Sequence, residues 1–335
     1  MSPKTKSRLL FTAKVGVAAT LLTWLIRSGA LDMSAVKVLF TKPWLLALDL
    51  VMFVACTTFG ALRWRALLRI AGVGLPVARS LRLHLVGLFF NVVIPGNVGG
   101  DVAKALYVAR DAAPERRTTI LLIVFIERLM GLAGLVTIAT IITGLRGPTL
   151  WNDPQLRPLA IVVALLGAGV FIGPALLVLI IRRASKQRLE AQTAGTTKLA
   201  KLLGQLVAAV TLLSSKPSGL FKALGFSMCL HLCAIGMFTV LTRVIGGFDV
   251  GLAEIATVFP LGIITMILPI SPAGLGVGHV AFDRLFAAIG LSGGASIFNV
   301  YLISQIVPCL LGVFPYLAIK REPAVDLEAP ASPPA

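Results

Sequence analysis

The chain has 335 residues, of which 57% are hydrophobic and only 13% charged, and its mean hydropathy is +0.93. A soluble domain carries about twice that charged fraction, so the composition indicates an all-α protein that crosses a membrane several times. The net charge of +17 would suggest nucleic acid in a soluble protein, but here the basic residues occupy short segments between apolar runs, so no nucleic-acid partner is predicted.

Long apolar runs predict about six full membrane spans within a single integral-membrane domain, residues 1–320. The first run follows a basic N-terminus and lacks a typical cleavage site, so we interpret it as an uncleaved span. Residues 321–335 are rich in Pro and Ala and are expected to form a disordered tail. The predicted spans are residues 9–31, 44–62, 118–143, 159–181, 223–245 and 295–319.

The first of two broken apolar segments reaches Pro95 and continues through Gly99 and Gly100 to Asp101. Its apolar part is shorter than the ~20 residues that a helix needs to cross a bilayer. Most of the 31 Lys and Arg residues fall on the inner side only if this segment enters and leaves from that side. We therefore predict a re-entrant helical hairpin, with Asn91 satisfying freed backbone groups and Asp101 capping the next helix.

The second broken segment, residues 254–289, contains Pro269, Gly274 and Gly276, and the same reasoning makes it re-entrant from the outer side. The two halves, residues 9–145 and 155–320, then have the same order of elements, namely two spans, a broken hairpin and a span. They cross the membrane in opposite orientations. In such inverted repeats, interrupted helices at corresponding positions mark a transport site. Pro and Gly are also common in membrane helices without a transport role, which is the alternative interpretation.

Glu127 and Arg128 lie well inside the span at 118–143, where an unpaired charge is costly. Adjacent helical residues point about 100° apart, so we expect each to have a partner on another element. Asp101 is the candidate partner of Arg128, and Lys104 is the candidate partner of Glu127. An ion pair that only locks two helices together is the alternative.

His279 and Asp283 are four residues apart and share a face if the second broken segment is helical there. They are interpreted either as a pair that carries a proton or as an interfacial pair. The sequence contains no catalytic triad, phosphate-loop motif or convincing metal-ligand spacing, so no catalytic residue, cofactor or metal is predicted.

Three stretches of the sequence together resemble the family of the lysylphosphatidylglycerol synthase transmembrane region, also called the flippase-like domain. They are residues 90–104, residues 127–132 with Glu127-Arg128 followed by Gly131, and residues 269–278. The resemblance extends over about residues 9–319 and implies movement of lipids between leaflets. The aminoacyl-transferase domain of some members is absent, so lysine transfer to a lipid is not implied. The third signature usually continues into a glutamate, whereas this chain has His279; if that glutamate serves in ion coupling or headgroup contact, its role is altered or lost here.

The resemblance and the charge pattern predict a lipid flippase or transporter of the bacterial inner membrane, with both termini cytoplasmic. We expect a transporter rather than an enzyme, with a membrane lipid as substrate and with anionic headgroups attracted by the basic segments. One alternative is a membrane enzyme or accessory subunit in hopanoid, glycolipid or polyprenyl-linked lipid modification, with a lipid-modifying enzyme as partner. The other alternative is an ion-coupled transporter of a small solute. The predicted substrate-binding residues are Asn91, Pro95, Gly99, Gly100, Asp101, Lys104, Glu127, Arg128, Pro269, Gly274, Gly276 and His279.

Overall fold

A computed structural model of the protein describes residues 37, 41–93, 99–183, 216–266 and 276–319. Every regular element in these ranges is a helix. The predicted first span, the predicted tail, Pro95, Pro269 and Gly274 lie outside the described residues. The helices are α1 (Pro43–Ile70), α2 (Val77–Val93), α3 (Gly99–Asp111), α4 (Pro114–Leu145), α5 (Gly147–Asn152), α6 (Arg157–Arg183), α7 (Pro217–Gly246), α8 (Leu252–Thr265), α9 (Val277–Ala288), α10 (Gly294–Cys309) and α11 (Val313–Ile319), with a 3₁₀ turn (Leu310–Gly312) between the last two.

Four stretches are long and apolar enough to cross a membrane, namely α1, α4, α7 and the continuous stretch Gly294–Ile319. They contain four of the predicted spans, and α6 contains the predicted span at 159–181. Proline begins α1, α4 and α7, where its missing N–H leaves no intrahelical bond unmade. The protein is therefore a multi-pass membrane protein.

Helix α1 continues to Ile70, beyond the predicted end of that span at residue 62. No Pro or Gly lies between that position and Ile70, so nothing in the sequence stops the helix there. Arg63, Arg65 and Arg69, which follow the predicted span, are consequently helical.

Helices α2 and α3 pack as an antiparallel pair, which we call the first pair. Where the second half of α2 meets the start of α3, which we call the closed end, a Cβ atom on Gly100 would lie only 1.8 Å from the carbonyl oxygen of Gly87. This close approach requires glycine at position 100. At the opposite, open end, where α2 begins and α3 ends, the Arg79 guanidinium pairs with the Asp111 carboxylate. Both helices thus have their outer termini beside the start of α4.

Helices α8 and α9 form the second pair, in which Gly262 on α8 faces the ring of Phe282 on α9. Helix α8 begins beside the end of α4, where Arg146 Nη2 lies 3.3 Å from a carboxylate oxygen of Glu254. Helix α9 ends against the small apolar cluster around Leu150. Since α4 has 32 residues and a length of ~48 Å, the two pairs open at opposite ends of that helix.

Two packing centres fix the pairs within the bundle. The ring of Phe238 on α7 contacts aromatic rings from α8, α9 and α10 and so anchors the second pair. The first pair packs against the 3₁₀ turn, where a Cβ atom on Gly312 would lie 2.1 Å from the carbonyl oxygen of Leu85. Rings of Phe90 on α2 and Tyr316 on α11 meet edge to face beside this contact.

Candidate functional site

Charged side chains from α1, α3 and α4 converge at the start of α3. Asp101 and Lys104 are three residues apart at the start of α3, so their side chains lie on one face of the helix. Glu127 and Arg128 come from α4, and Arg63 comes from the extended end of α1.

The contacts between these side chains are short. Lys104 Nζ lies 2.7 Å from Glu127 Oε2 and 3.1 Å from Asp101 Oδ1. Arg63 Nη2 donates to Glu127 Oε1 at 3.2 Å, and Arg128 Nη2 donates to Asp101 Oδ2 at 2.6 Å. We call these five residues the charge cluster. It contains three cations and two anions, and therefore one positive charge in excess.

The charge cluster runs from a buried centre to an accessible edge. The side chains of Lys104 and Glu127 are only 1% and 4% exposed, whereas those of Asp101 and Arg128 are 17% and 40% exposed. Lys104 also has its Nζ 5.0 Å from the ring centroid of Trp64, a cation–π contact on its buried side. Buried charges are tolerated only when they are paired, and the centre of the cluster meets that condition.

Both predicted pairings, Asp101 with Arg128 and Lys104 with Glu127, are confirmed. The prediction that Asp101 caps α3 is wrong, because the helix already begins at Gly99 and Asp101 lies in its first turn. The carboxylate is therefore turned toward the two cations. Asn91 fulfils its expected role, since its side-chain oxygen accepts a 2.9 Å hydrogen bond from the backbone N–H of Gly100.

One member of the charge cluster, Arg63, and two residues beside it, Trp64 and His84, were not predicted as site residues. His84 on α2 is buried against Gly60 and lies close enough to Lys104 and Arg63 to interact with their charges. Arg63 could have been recognised from the uninterrupted helical pattern beyond residue 62. Nothing in the local sequence distinguishes Trp64 or His84 from packing residues.

The residues of the second broken segment lie elsewhere in the structure. Gly276, with φ +82°, directly precedes α9, and the ring of His279 packs edge-on against Phe298 at 5.1 Å. Asp283 accepts a 3.1 Å hydrogen bond from the N–H of Ala295, so it ties α9 to α10. Helix α9 packs on α8 and α10, and the structure does not bring His279 into the charge cluster.

The chemistry available to the cluster is ionic recognition. Within the described ranges, no group of three or more His, Cys, Asp or Glu side chains is placed to hold a metal ion. The edge pair of Asp101 and Arg128 offers one acceptor and one donor to a ligand, while Lys104 keeps contact with Asp101 from the buried side. Such an arrangement suits a molecule that carries both an anionic and a cationic or hydroxyl group.

Comparison with known proteins identifies the family. Searches of curated proteins and of solved structures gave no significant match. The family model described as the lysylphosphatidylglycerol synthase TM region matches residues 11–312, which include all of the charge cluster and both helical pairs. The chain therefore belongs to the family of the lysylphosphatidylglycerol synthase transmembrane region.

Proposed function

We propose that this protein is a flippase or transporter that moves a lipid with a polar or charged headgroup across the bacterial inner membrane. The observation that carries the proposal is the charge cluster, which stands between helices α1 and α4, both long enough to span a bilayer. Charged residues inside membrane spans typically face a cavity or a partner and mark a substrate path, because an unpaired charge there is costly. Membership of the family supports a lipid as the transported molecule.

The edge of the cluster is where a headgroup would bind. Arg128 would exchange Asp101 for the headgroup phosphate, and Asp101 would accept from an amine or hydroxyl of the same headgroup. Asp101 would not be left unpaired in this exchange, since Lys104 Nζ is 3.1 Å from its other oxygen. The acyl chains would remain in the bilayer throughout, so only the polar part of the lipid needs this path.

The two helical pairs would supply the route. In this proposal both pairs are re-entrant, the first from the cytoplasmic side and the second from the opposite side. Their openings at opposite ends of α4 support this assignment and the inverted repeat that it implies. Both termini would then be cytoplasmic. Pro95, Gly99, Pro269, Gly274, Gly276 and His279 would belong to the broken parts of the pairs and would line the path.

Transport by the purified full-length chain in liposomes tests the proposal. Lipids with a fluorescent acyl chain and different headgroups are incorporated, and a membrane-impermeant quencher reports the fraction in the outer leaflet over time. Asp101→Asn and Arg128→Gln are compared with wild type. The matched control is Arg146→Gln, which removes another arginine–carboxylate pair, that with Glu254 at the far end of α4.

We expect wild type and Arg146→Gln to move at least one charged-headgroup lipid, and the two edge variants to be slower by about tenfold or more. Transport at the wild-type rate by both edge variants would exclude the charge cluster as the headgroup site. Chemical turnover of the lipid by the purified protein, without translocation, would instead favour a membrane enzyme.

A further inference from the structure

A second site lies at the end of the bundle where α1 ends and α7 begins. A cavity of about 670 Å³ opens there between the two helices. A volume of this size matches that of small-molecule sites, and it is sufficient for a lipid headgroup with its glycerol. The cavity contains no residue of the charge cluster, so it is separate from the proposed headgroup path.

The charge of the cavity is strongly one-sided. Four basic side chains line it, Arg65 and Arg69 from α1 and Lys216 and Lys222 from the start of α7, and none of its described lining residues is acidic. Within the described part of the chain none of the four makes an ion pair with a carboxylate. Arg65 and Arg69 are close enough to repel each other. An anion placed between them would relieve that repulsion.

Two of the four cations are held in place by backbone carbonyl groups. Arg65 Nε donates to the carbonyl oxygen of Leu75 at 2.6 Å, and Lys216 Nζ donates to that of Ile70 at 3.2 Å. These bonds orient the side chains without neutralising them. A cavity whose cations are oriented beforehand loses less conformational entropy when it binds an anion.

The walls of the cavity indicate which anion it binds. Leu62 and Phe226 contribute apolar surface beside the four cations. Helices α1 and α7 are candidate spans, and the cavity lies at their ends, the depth at which lipid headgroups lie. A free phosphate would leave the apolar wall without a partner, whereas a phospholipid would cover it with its glycerol and upper acyl carbons.

We propose that this cavity binds the phosphodiester headgroup of an anionic phospholipid, with Arg65, Arg69, Lys216 and Lys222 as its cations. The inference goes beyond the proposed function, because this lipid stays at the bundle end as a bound partner and is not the molecule that is moved.

Thermal unfolding of the purified full-length protein in a neutral detergent provides the test. Phosphatidylglycerol, phosphatidylcholine and inorganic phosphate are titrated separately, and the apparent dissociation constants are compared. The test variant is Arg69→Gln/Lys222→Gln, which removes two exposed cations of the cavity. The control variant, Arg117→Gln/Arg284→Gln, removes two exposed arginines outside it. A third variant, Arg69→Lys/Lys222→Arg, keeps both charges.

Phosphatidylglycerol should stabilise wild type, the control and the charge-keeping variant, with phosphatidylcholine ineffective. In Arg69→Gln/Lys222→Gln the dissociation constant should rise about five- to thirty-fold. The proposal is overturned if the control weakens binding equally, if phosphatidylcholine is as effective, or if inorganic phosphate stabilises as strongly as the lipid. Glu127→Gln, tested alongside, should keep lipid binding at the cavity even if its transport is lost, which separates this site from the headgroup path.

Discussion

Lys104 on α3 and Glu127 on α4 meet at 2.7 Å with both side chains almost fully buried. If either side chain were replaced by an apolar one, the charge of the other would be left buried with fewer partners, which is strongly destabilising. Lys104 bridges Glu127 and Asp101, and its loss would therefore remove a cation from two carboxylates at once.

Lys104→Met should consequently destabilise the protein by about 3–5 kcal/mol, because Glu127 remains buried with only Arg63 beside it. Lys104→Met/Glu127→Gln should lower the free energy of unfolding by clearly less than the sum of the losses in Lys104→Met and Glu127→Gln, since it removes both charges together. Unfolding by titration with SDS measures all three variants. Additive effects would show that the two side chains are energetically independent in spite of their contact.

Exchanging the charges of the edge pair, Asp101 and Arg128, separates its structural role from its proposed role in transport. Asp101→Arg/Arg128→Asp should regain about 0.2–1 kcal/mol of the lost stability and no more, because the pair re-forms while the new arginine lies beside the Lys104 ammonium. Transport should stay impaired, because the donor and acceptor then face the headgroup in reversed positions and Lys104 loses its carboxylate on α3. Recovery of transport together with stability would mean that the pair only holds the helices.

The contact between Gly87 and Gly100 predicts that adding a single methyl group at position 100 lowers the stability of the protein. Gly100→Ala should push α2 and α3 apart, since its Cβ would lie 1.8 Å from a backbone oxygen, and should cost about 1–3 kcal/mol. Gly169→Ala is the control, because nothing lies within 4 Å of a Cβ at that helical position. The control should be neutral or stabilising. Equal thermal unfolding midpoints for the two variants would contradict the close packing of the first pair.

Asp49 is a second buried carboxylate, on α1, and it was not predicted from the sequence. It is 1% exposed and interacts with the Ser304 hydroxyl, while its Oδ1 has no hydrogen-bond partner among the described residues. Asp49→Asn keeps the shape and removes the charge, so we expect a more stable protein, by about 1–3 kcal/mol. Asp249→Asn, at an exposed position, should change little. A loss of stability in Asp49→Asn, measured by SDS titration, would mean that the ionised carboxylate is itself a stabilising group.

Asp111, at the end of α3 and outside the spans, predicts a dependence of stability on pH. Burial alone would raise the pKa of Asp111, but hydrogen bonds from Arg110 and Arg79 outweigh it and hold the pKa below its ordinary value of 3.8. The stabilisation is therefore complete above that value and is lost as the pH falls through the lower native pKa. Asp111→Asn should be about 1–3 kcal/mol less stable than wild type at neutral pH.

The difference between wild type and Asp111→Asn should shrink as the pH of the buffer falls below 3.8 and through the lower native pKa of Asp111. Thermal unfolding across a pH series, with Asp249→Asn as the exposed control, measures it. A difference that stays constant over the whole series would show that Asp111 acts through packing and not through its charge.

Much of this architecture was predictable because lipid allows a long apolar run few alternatives to a helix. The pairing of Glu127 with Lys104 was predictable for the same reason, since a charge inside a span requires a partner. The position of Asp101 was not, because the start of α3 depends on how the chain leaves the break before Gly99. Arg63 and His84 were missed because their roles depend on which faces α1 and α2 turn toward α3, and that is decided by helix packing such as the fit of His84 against Gly60.

The close contact of Gly312 with the Leu85 carbonyl couples the position of the stretch Gly294–Ile319 to that of α2 in the first pair. A shift of α2 in the proposed transport cycle would have to displace the 3₁₀ turn and α11 with it, since no side chain lies between the two backbones at Gly312. The surface of α11 can therefore report on the site from a distance. A spectroscopic label at Phe314, whose side chain is exposed, would record that displacement without altering any charged residue.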